Sequence, residues 1–313
     1  MKKLLFFLFS AGILASCLDD EYTQPNLMEN GIEIFNIVNN QQDYTMDPVS
    51  LAFRLNILLN EAAAAGTPGD FSHITYEKED DTRVPMQEYL LSSLASVSQT
   101  SEGVWELVFE GNGVNGARTG KVVINTGGLM LEELYGTGQQ WYISLPEGSS
   151  IKYDFSRNGD ERVITWLNGT FSIAPGIIEN NWTVYVSDYV CSYNKLNHSS
   201  RWGGKFTITR VGALPASLRN TRASTFQFRG EAEGIPYYST LSMSYEAKEL
   251  VYKPSCSENY ISSGSAVASF LERGELSESD YPSLTTVIQW ISGETECRNN
   301  IMMTYNGNSM YIR

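Results

Sequence analysis

Short runs of alternating and β-branched residues dominate the chain from residue 104 onward. They are rich in Val, Ile, Thr, Tyr and Trp, side chains that suit a pleated, half-buried surface. The predicted strands are 104–110, 121–125, 140–145, 151–155, 162–166, 170–173, 182–187, 205–211, 225–229, 237–243, 250–253, 285–291, 300–305 and 309–313. Frequent short strands favour an antiparallel β-sandwich or barrel-like sheet over βαβ units.

Asn-Gly pairs separate many of these runs. They begin at Asn112, Asn115, Asn158, Asn168 and Asn306. Asn-Gly favours the type I′ turn that joins antiparallel strands, so each pair predicts a hairpin. A polar stretch at 213–222, which contains Pro215, suggests a division into two antiparallel β regions, 99–214 and 215–313.

Before the strands, apolar residues recur with the period of a helix, and we predict a helical segment at 46–98. Leu51, Leu55, Leu58 and Ala62 recur at helical spacing. Asp47 is a suitable N-cap and Pro48 suits the first helical position, whereas Gly66 and Pro68 predict the end of the helix. A second, shorter helix is predicted at 85–95.

The N-terminus has the pattern of an export signal at 1–16. Lys2 and Lys3 precede an apolar run at 4–15, which is shorter than the about 20 residues that a spanning helix needs. The small residues before Cys17 are similar to the lipobox of bacterial lipoproteins, in which this cysteine carries the lipid. We therefore expect Cys17 to be lipidated and 17–45 to be a tether, with a short strand at 32–38.

Charge and composition exclude some partners. The chain has 36 acidic and 22 basic residues and a net charge of −14, which makes nucleic acid an unsuitable partner. Apolar residues make up 42% of the chain, enough for a substantial core.

Three cysteines remain beyond Cys17, namely Cys191, Cys256 and Cys297. An exported protein can form disulfides, and we predict a Cys256–Cys297 bridge that would stabilise the fold by about 4 kcal/mol. Three buried thiols are the alternative. No CxxC pair occurs, and His73 and His198 lack ligand-like spacing, so we predict no metal and no other cofactor.

Several strings resemble catalytic or nucleotide-binding motifs but lack the residues or the structural context that those sites require. The GxGxxG match at 111–116 is followed by strand residues instead of a helix, so a hairpin turn explains it better. No GxSxG string occurs, and His198 lies in a polar stretch with Ser199 and Ser200. Carboxylate pairs of the glycosidase type stay open, because spatial separation identifies them.

Aromatic residues supply the candidate ligand site. Trp141, Tyr142, Trp182 and Tyr185 could stack on sugars, although a core role is the commoner use of such side chains. Trp182 and Tyr185 are three residues apart and would face opposite sides of a strand. Tyr185, Tyr189 and Tyr193 would share a face if their strand were unbroken.

These features together resemble the surface lipoproteins of Bacteroidetes. The resemblance rests on the lipobox, the acidic Asp19-Asp20-Glu21 cluster and the helix that ends in Glu61 and four alanines. It also rests on the strand pattern at 118–121 and 141–143, and on a glycine turn at 291–293 followed by Cys297 before the last hairpin. Arg298 departs from the acidic residue expected after that cysteine. The resemblance implies a β-rich protein, lipid-anchored in the outer membrane and facing the cell exterior.

Three functions are compatible with these features. The first is a non-catalytic surface module that binds a glycan or an envelope protein, and we expect no enzymatic activity. The second is a structural or adhesive, fimbria-like subunit. The third is a polysaccharide-active enzyme whose carboxylates the sequence does not identify.

Overall fold

A computed structural model describes residues 27–77, 82–85, 87, 91, 93–111, 117–154, 156, 161, 163–194, 198–211, 225–234, 243–252, 261–270, 285–292 and 299–312. In 27–45 and 225–234 the description is of the backbone. Within these residues one long helix is followed by sixteen strands.

The helix, α1, spans Leu27–Ala64 and ends where the sequence predicts. Gly66 adopts a φ of 73°, and the Thr67 N–H donates to the Ala62 carbonyl over 2.9 Å. This arrangement satisfies carbonyls that the helix end would otherwise leave without partners, and glycine adopts it without steric cost. The predicted C-terminal stop is therefore confirmed.

The predicted start of α1, at Pro48, is wrong by 21 residues. The helix begins at Leu27, within the predicted tether, and the segment predicted as a short strand at 32–38 is helical. Pro48 lies inside the helix and Asp47 does not cap it. The Asp47 carboxylate instead binds two residues of the sheet, an arrangement that a local capping rule cannot anticipate.

The strands are β1 (Thr75–Glu77), β2 (Arg83–Pro85), β3 (Leu94–Ser101), β4 (Val104–Glu110), β5 (Ala117–Asn125), β6 (Trp141–Ser144), β7 (Ile151–Asp154), β8 (Val163–Pro175), β9 (Asn181–Tyr193), β10 (His198–Val211), β11 (Thr225–Gly234), β12 (Met243–Tyr252), β13 (Ile261–Phe270), β14 (Thr285–Ser292), β15 (Asn299–Tyr305) and β16 (Asn308–Ile312). A short 3-10 helix, Leu131–Leu134, lies between β5 and β6.

Strands β3 to β16 form one antiparallel sheet of 14 strands that follows the chain order, except that β6 and β7 both lie between β5 and β8. Strands β1 and β2 pair separately. The predicted mainly β, antiparallel fold is confirmed. Helix α1 contacts β6 and also β14 and β15, which are far from β6 in the strand order, so the sheet curls around the helix in a barrel-like way. The inner face of the sheet and the helix share one apolar core.

Several predicted elements differ from those in the structure. Strands β10 and β11 pair along ten residues, so strands of the predicted regions 99–214 and 215–313 belong to one sheet, and the division into two regions at 213–222 stays a prediction. The predicted 46–98 helical segment contains β1, β2 and the start of β3, and Leu94 lies in β3 where the second helix was expected. Strands β3 and β13 were not predicted, because their Ser-rich sequences lack the β-branched pattern.

A buried polar contact fixes α1 against the sheet. The Asp47 carboxylate accepts hydrogen bonds from Arg118 Nε at 3.1 Å and from the Tyr153 hydroxyl at 2.9 Å, and it also pairs with Arg118 Nη2. Both charged side chains are buried. Because a buried charge without its partner is costly, this pair sets the position of the helix along the sheet.

Burial also affects the hydroxyl in this contact. Burial away from water, and next the Asp47 carboxylate, raise the pKa of Tyr153 well above its usual value of 10.0. The phenol therefore stays protonated and donates to Asp47 throughout the ordinary pH range.

Candidate ligand-binding face

The two tryptophans predicted as ligand-binding residues lie in the core. Trp141 and Trp182 are almost fully buried. Trp141 Nε1 donates to the Leu129 carbonyl at 2.9 Å, and Trp182 Nε1 donates to the Leu131 carbonyl at 3.0 Å. Both indoles thus hold the connection between β5 and β6 against the sheet, and neither is accessible to a ligand.

The two tyrosines of the prediction lie on the opposite, outer face. Tyr142 is 46% exposed and Tyr185 is 44% exposed. Successive side chains of a strand point to opposite faces, so the burial of Trp141 sends Tyr142 outward. In β9 the same alternation buries Trp182 and Val184 and exposes Tyr185.

Strand pairing aligns these tyrosines in one row across the sheet. Tyr142 lies opposite Ser172 in β8, Ser172 lies opposite Tyr185, and Tyr185 lies opposite Lys205 in β10. We call Tyr142, Ser172, Tyr185 and Lys205 the tyrosine row. Since neighbouring strands are about 4.8 Å apart, the two tyrosines are separated by about 10 Å.

Polar groups accompany both rings of the tyrosine row. Gln140 Nε2 donates to the Tyr142 hydroxyl at 2.6 Å, which fixes the tip of that side chain. Lys205 Nζ lies 5.6 Å from the centre of the Tyr185 ring. This cation–π contact holds a positive charge beside the row on a chain whose net charge is −14.

The tyrosine row lies near one end of the sheet, which we call the distal end and define by Pro175 and Asn181, where β8 and β9 meet. Tyr185 is four residues from that end. Helix α1 runs toward the distal end, because Asp47 contacts Arg118 near the opposite end. Asn56 contacts Glu132 in the 3-10 helix, which connects the distal ends of β5 and β6. The N-terminal part of α1 therefore lies toward the opposite end.

A bulge explains why Tyr189 does not join the row. Asn168 pairs with Val190 and Thr170 pairs with Ser187, so one residue of β8 faces two residues of β9. Asp188 adopts a φ of 54°, and the alternation is reversed beyond it, which buries Tyr189 completely. Tyr185 and Tyr189 would share a face only in an unbroken strand, and the bulge between them places them on opposite faces.

The Asn168-Gly169 pair lies at this bulge inside β8 and does not form a hairpin turn. The Cβ of any other residue at position 169 would lie 2.5 Å from Tyr189 Cα. Asn306-Gly307, in contrast, forms the predicted turn between β15 and β16 with positive φ at both residues. The pairs at 112, 115 and 158 lie outside the described residues.

The distal end also exposes an apolar loop. Ile177 is 91% exposed and Ile178 is 60% exposed in the connection between β8 and β9. Arg210 holds this loop by pairing with the Asn180 amide oxygen and with Glu132 Oε1, the latter at 2.6 Å. Neither isoleucine was singled out from the sequence, because adjacent apolar residues are expected in strands.

Among the described residues, the neighbours of His73 do not have the arrangement of a catalytic triad. His73 lies in an exposed turn, and its Nε2 is 3.5 Å from Asp70 Oδ2. Asp70 also accepts the Ser72 N–H at 2.9 Å, and the hydrogen bonds from Ser72 lower the pKa of that carboxyl. The turn contains the residue types of a serine hydrolase triad, but Asp70 contacts both partners, whereas a triad requires the histidine to contact the serine.

Of the cysteines singled out from the sequence, Cys191 lies within the described residues. Cys191 is a buried thiol on the inner face of β9. Cys17, Cys256 and Cys297 lie outside the described residues, so lipidation and the disulfide stay predictions.

Within the described part of the chain, no cluster of His, Cys, Asp or Glu has the arrangement of a metal site. Among its helices, none has the length and apolar character required to cross a bilayer.

No family model, no curated protein and no solved structure matches the chain.

Proposed function

We propose that this chain is a lipid-anchored protein of the bacterial cell envelope that binds a glycan without catalysis, through the tyrosine row on the outer face of its sheet. Two exposed tyrosines in one row, about 10 Å apart, carry the proposal. Aromatic rings offer an apolar face to the C–H groups of a sugar, while the phenol and its neighbours offer hydrogen bonds to its hydroxyls.

The construction of the barrel-like fold favours an external site. Helix α1 and the inner aromatic side chains fill the space that the sheet encloses. The outer face offers Ser172, a hydroxyl, between the two rings, and Lys205 at the end of the row. An extended sugar chain that lies across the strands would meet a ring, a hydroxyl, a second ring and a cation in that order.

The position of the row is consistent with an anchor at Cys17. Helix α1 leads from the N-terminal side toward the distal end, and the tyrosine row lies near that end. A lipid on Cys17 would hold the opposite end at the membrane, and the row would face away from it. Lipidation itself is tested by metabolic labelling with palmitate, which should label the parent protein and not the Cys17→Ser variant.

The binding experiment uses the chain from Leu18 onward, which contains every described residue. Thermal unfolding is measured against a panel of neutral and acidic polysaccharides. A ligand that binds only the folded state raises the free energy of unfolding by about 2.7 kcal/mol at a hundredfold excess over its dissociation constant. We expect at least one glycan to raise the unfolding midpoint.

Single alanine variants then locate the site. Tyr142→Ala and Tyr185→Ala should each weaken binding at least tenfold, since each removes a stacking ring. Tyr135→Ala and Tyr311→Ala are matched controls, because those tyrosines are 49% and 66% exposed and lie outside the row. Binding that survives both row variants, or the lack of any shift with every glycan, would reject the proposal.

A further inference from the structure

The curled sheet has two edges within the described residues, and they differ in length. The strand order places β3 at one edge, paired with β4 alone, and β16 at the other, paired with β15 alone. Strand β3 has eight residues and β16 has five. An edge strand presents backbone N–H and C=O groups that can pair with another strand, and a longer edge offers more of them.

Two of the features with which proteins protect such an edge, proline and charged residues, are missing from β3. Its sequence, Leu-Ala-Ser-Val-Ser-Gln-Thr-Ser, contains no proline and no charged residue. Irregular pairing with β4 occurs at both ends of β3, between Leu94 and Ser96 and between Gln99 and Ser101. The residues from Ser96 to Gln99 are regular, so the centre of the edge is suited to continued pairing.

The side chains at this centre are small and divided between the two faces. Val97 lies opposite Leu107 and packs against the core, whereas Ser96 and Ser98 lie opposite Val108 and Glu106 and are exposed. A strand added to β3 would therefore continue an apolar position on the inner face and hydroxyl positions on the outer face.

We infer that β3 is a dimerisation edge, which pairs antiparallel with β3 of a second copy about a two-fold axis through Val97. In that register Val97 meets Val97 of the second copy, and Ser96 meets Ser98 of the second copy. Residues opposite each other in an antiparallel pair point to the same face, and this register satisfies that condition. A two-fold interface needs a self-complementary surface, and an uncharged strand with small side chains provides one.

The charge of the chain gives this interface a specific salt dependence. Two copies with a net charge of −14 each repel one another at low ionic strength. Salt screens that repulsion, since the Debye length falls from about 30 Å at 0.01 M to about 3 Å at 1 M. The pairing of β3 strands involves no ion pair that salt would weaken. Association should therefore strengthen as salt is added.

Sedimentation velocity tests the inference on the chain from Leu18 onward, at concentrations up to about 1 mM, which corresponds to the weak end of specific affinity. We expect a monomer–dimer equilibrium that shifts toward dimer when salt is raised. The test variant is Ser96→Lys with Ser98→Lys, which would set lysines opposite each other across the axis. Like charges in directly opposite positions destabilise strand pairing, so we expect the dissociation constant of the dimer to rise at least tenfold.

Two variants serve as controls at other surfaces. Ser309→Lys places one charge on β16, the other edge, and should leave the dimer unchanged. Ile177→Ser with Ile178→Ser removes the exposed apolar loop and should also leave it unchanged. Because all of these positions are exposed, we expect each variant to keep the fold. Circular dichroism and urea unfolding of each variant check this.

Several outcomes would overturn the inference. A parent protein that stays monomeric at every concentration and salt level has no such edge contact. A dimer that the β3 double variant leaves intact, or one that the loop variant or Ser309→Lys abolishes, forms through a different surface. None of these results bears on the tyrosine row, whose test is glycan binding by the same protein.

Discussion

The two faces of the sheet use neighbouring aromatic residues for different purposes. Trp141 and Trp182 point inward, are buried, and hold the 3-10 connection through their indole N–H groups. Tyr142 and Tyr185 point outward and leave nearly half of their surface in water. All four were candidates for the same ligand site, but only the tyrosines can reach a ligand.

This contrast separates stability from recognition. A buried aromatic side chain contributes through the area it removes from water and through ring contacts such as the edge-to-face packing of Phe53 on Trp182, with centroids 5.1 Å apart. An exposed ring stays available for a ligand and contributes little to folding. Substitutions on the two faces should therefore have opposite signatures, a change in stability inside and a change in binding outside.

The largest expected effect belongs to the inner face. Trp182→Ala should lower the free energy of unfolding by about 3–5 kcal/mol, because it removes a buried ring and leaves a cavity. Urea unfolding measures the change. Trp182→Phe, which keeps a ring but loses the hydrogen bond to the Leu131 carbonyl, should cost less. Equal losses for the two variants would mean that the hydrogen bond, and not the packing, dominates.

The second-largest effect on stability is expected at the bulge in β9, beyond which the alternation of buried and exposed residues is reversed. Gly169→Ala should lower stability by about 1–3 kcal/mol, since φ at this glycine is 118° and the added Cβ would collide with Tyr189 Cα. Gly148→Ala is the matched control, because its φ of 71° is also positive but no atom lies within 4 Å of the added carbon. If both variants lose the same stability, the close approach to Tyr189 contributes nothing.

Alkaline pH should lower the stability of the fold through Tyr153. The pKa of Tyr153 is raised in the folded state, so above about pH 10 the unfolded chain releases a proton that the folded chain keeps. Stability from this group is complete below pH 10 and falls above it, by about 1.4 kcal/mol per pH unit. Tyr153→Phe should reduce that slope in urea unfolding measured from pH 9 to pH 11. An unchanged slope would assign the alkaline loss to other groups.

The smallest effects on stability are expected on the outer face. Tyr142→Ala and Tyr185→Ala should each change the free energy of unfolding by less than about 0.5 kcal/mol, as exposed substitutions usually do. The same variants should lose glycan binding. A large loss of stability in either variant would show that the row has a structural role and would blur the contrast between the two faces.

Local rules predicted the parts of the fold that depend on neighbours in sequence. The stop of α1 at Gly66 and the turn at Asn306-Gly307 follow from residues that tolerate positive φ. Strand β4 follows from the strict alternation that buries Trp105, Leu107 and Phe109. The prediction of the helix start was wrong, because Asp47 does not cap the helix. Its carboxylate instead binds Arg118 and Tyr153, which are buried and distant in sequence.

The candidate site was half predictable for the same reason. The sequence identified Trp141, Tyr142, Trp182 and Tyr185 as a group, and alternation indicated that Trp182 and Tyr185 face opposite sides. It could not choose which of them is buried, because that depends on where the helix packs. Nor could it include Ser172 and Lys205, which join the row only through the pairing of β8, β9 and β10.

The sequence by itself determined the β-rich class, the C-terminal end of the helix and the alternation that divides each strand between two faces. These are short-range properties of backbone and side-chain geometry. The tertiary structure decided which face the helix covers, where bulges reverse the alternation, and which side chains form a row across the sheet. Those outcomes depend on strand register and on buried contacts between residues far apart in the chain, which no local pattern records.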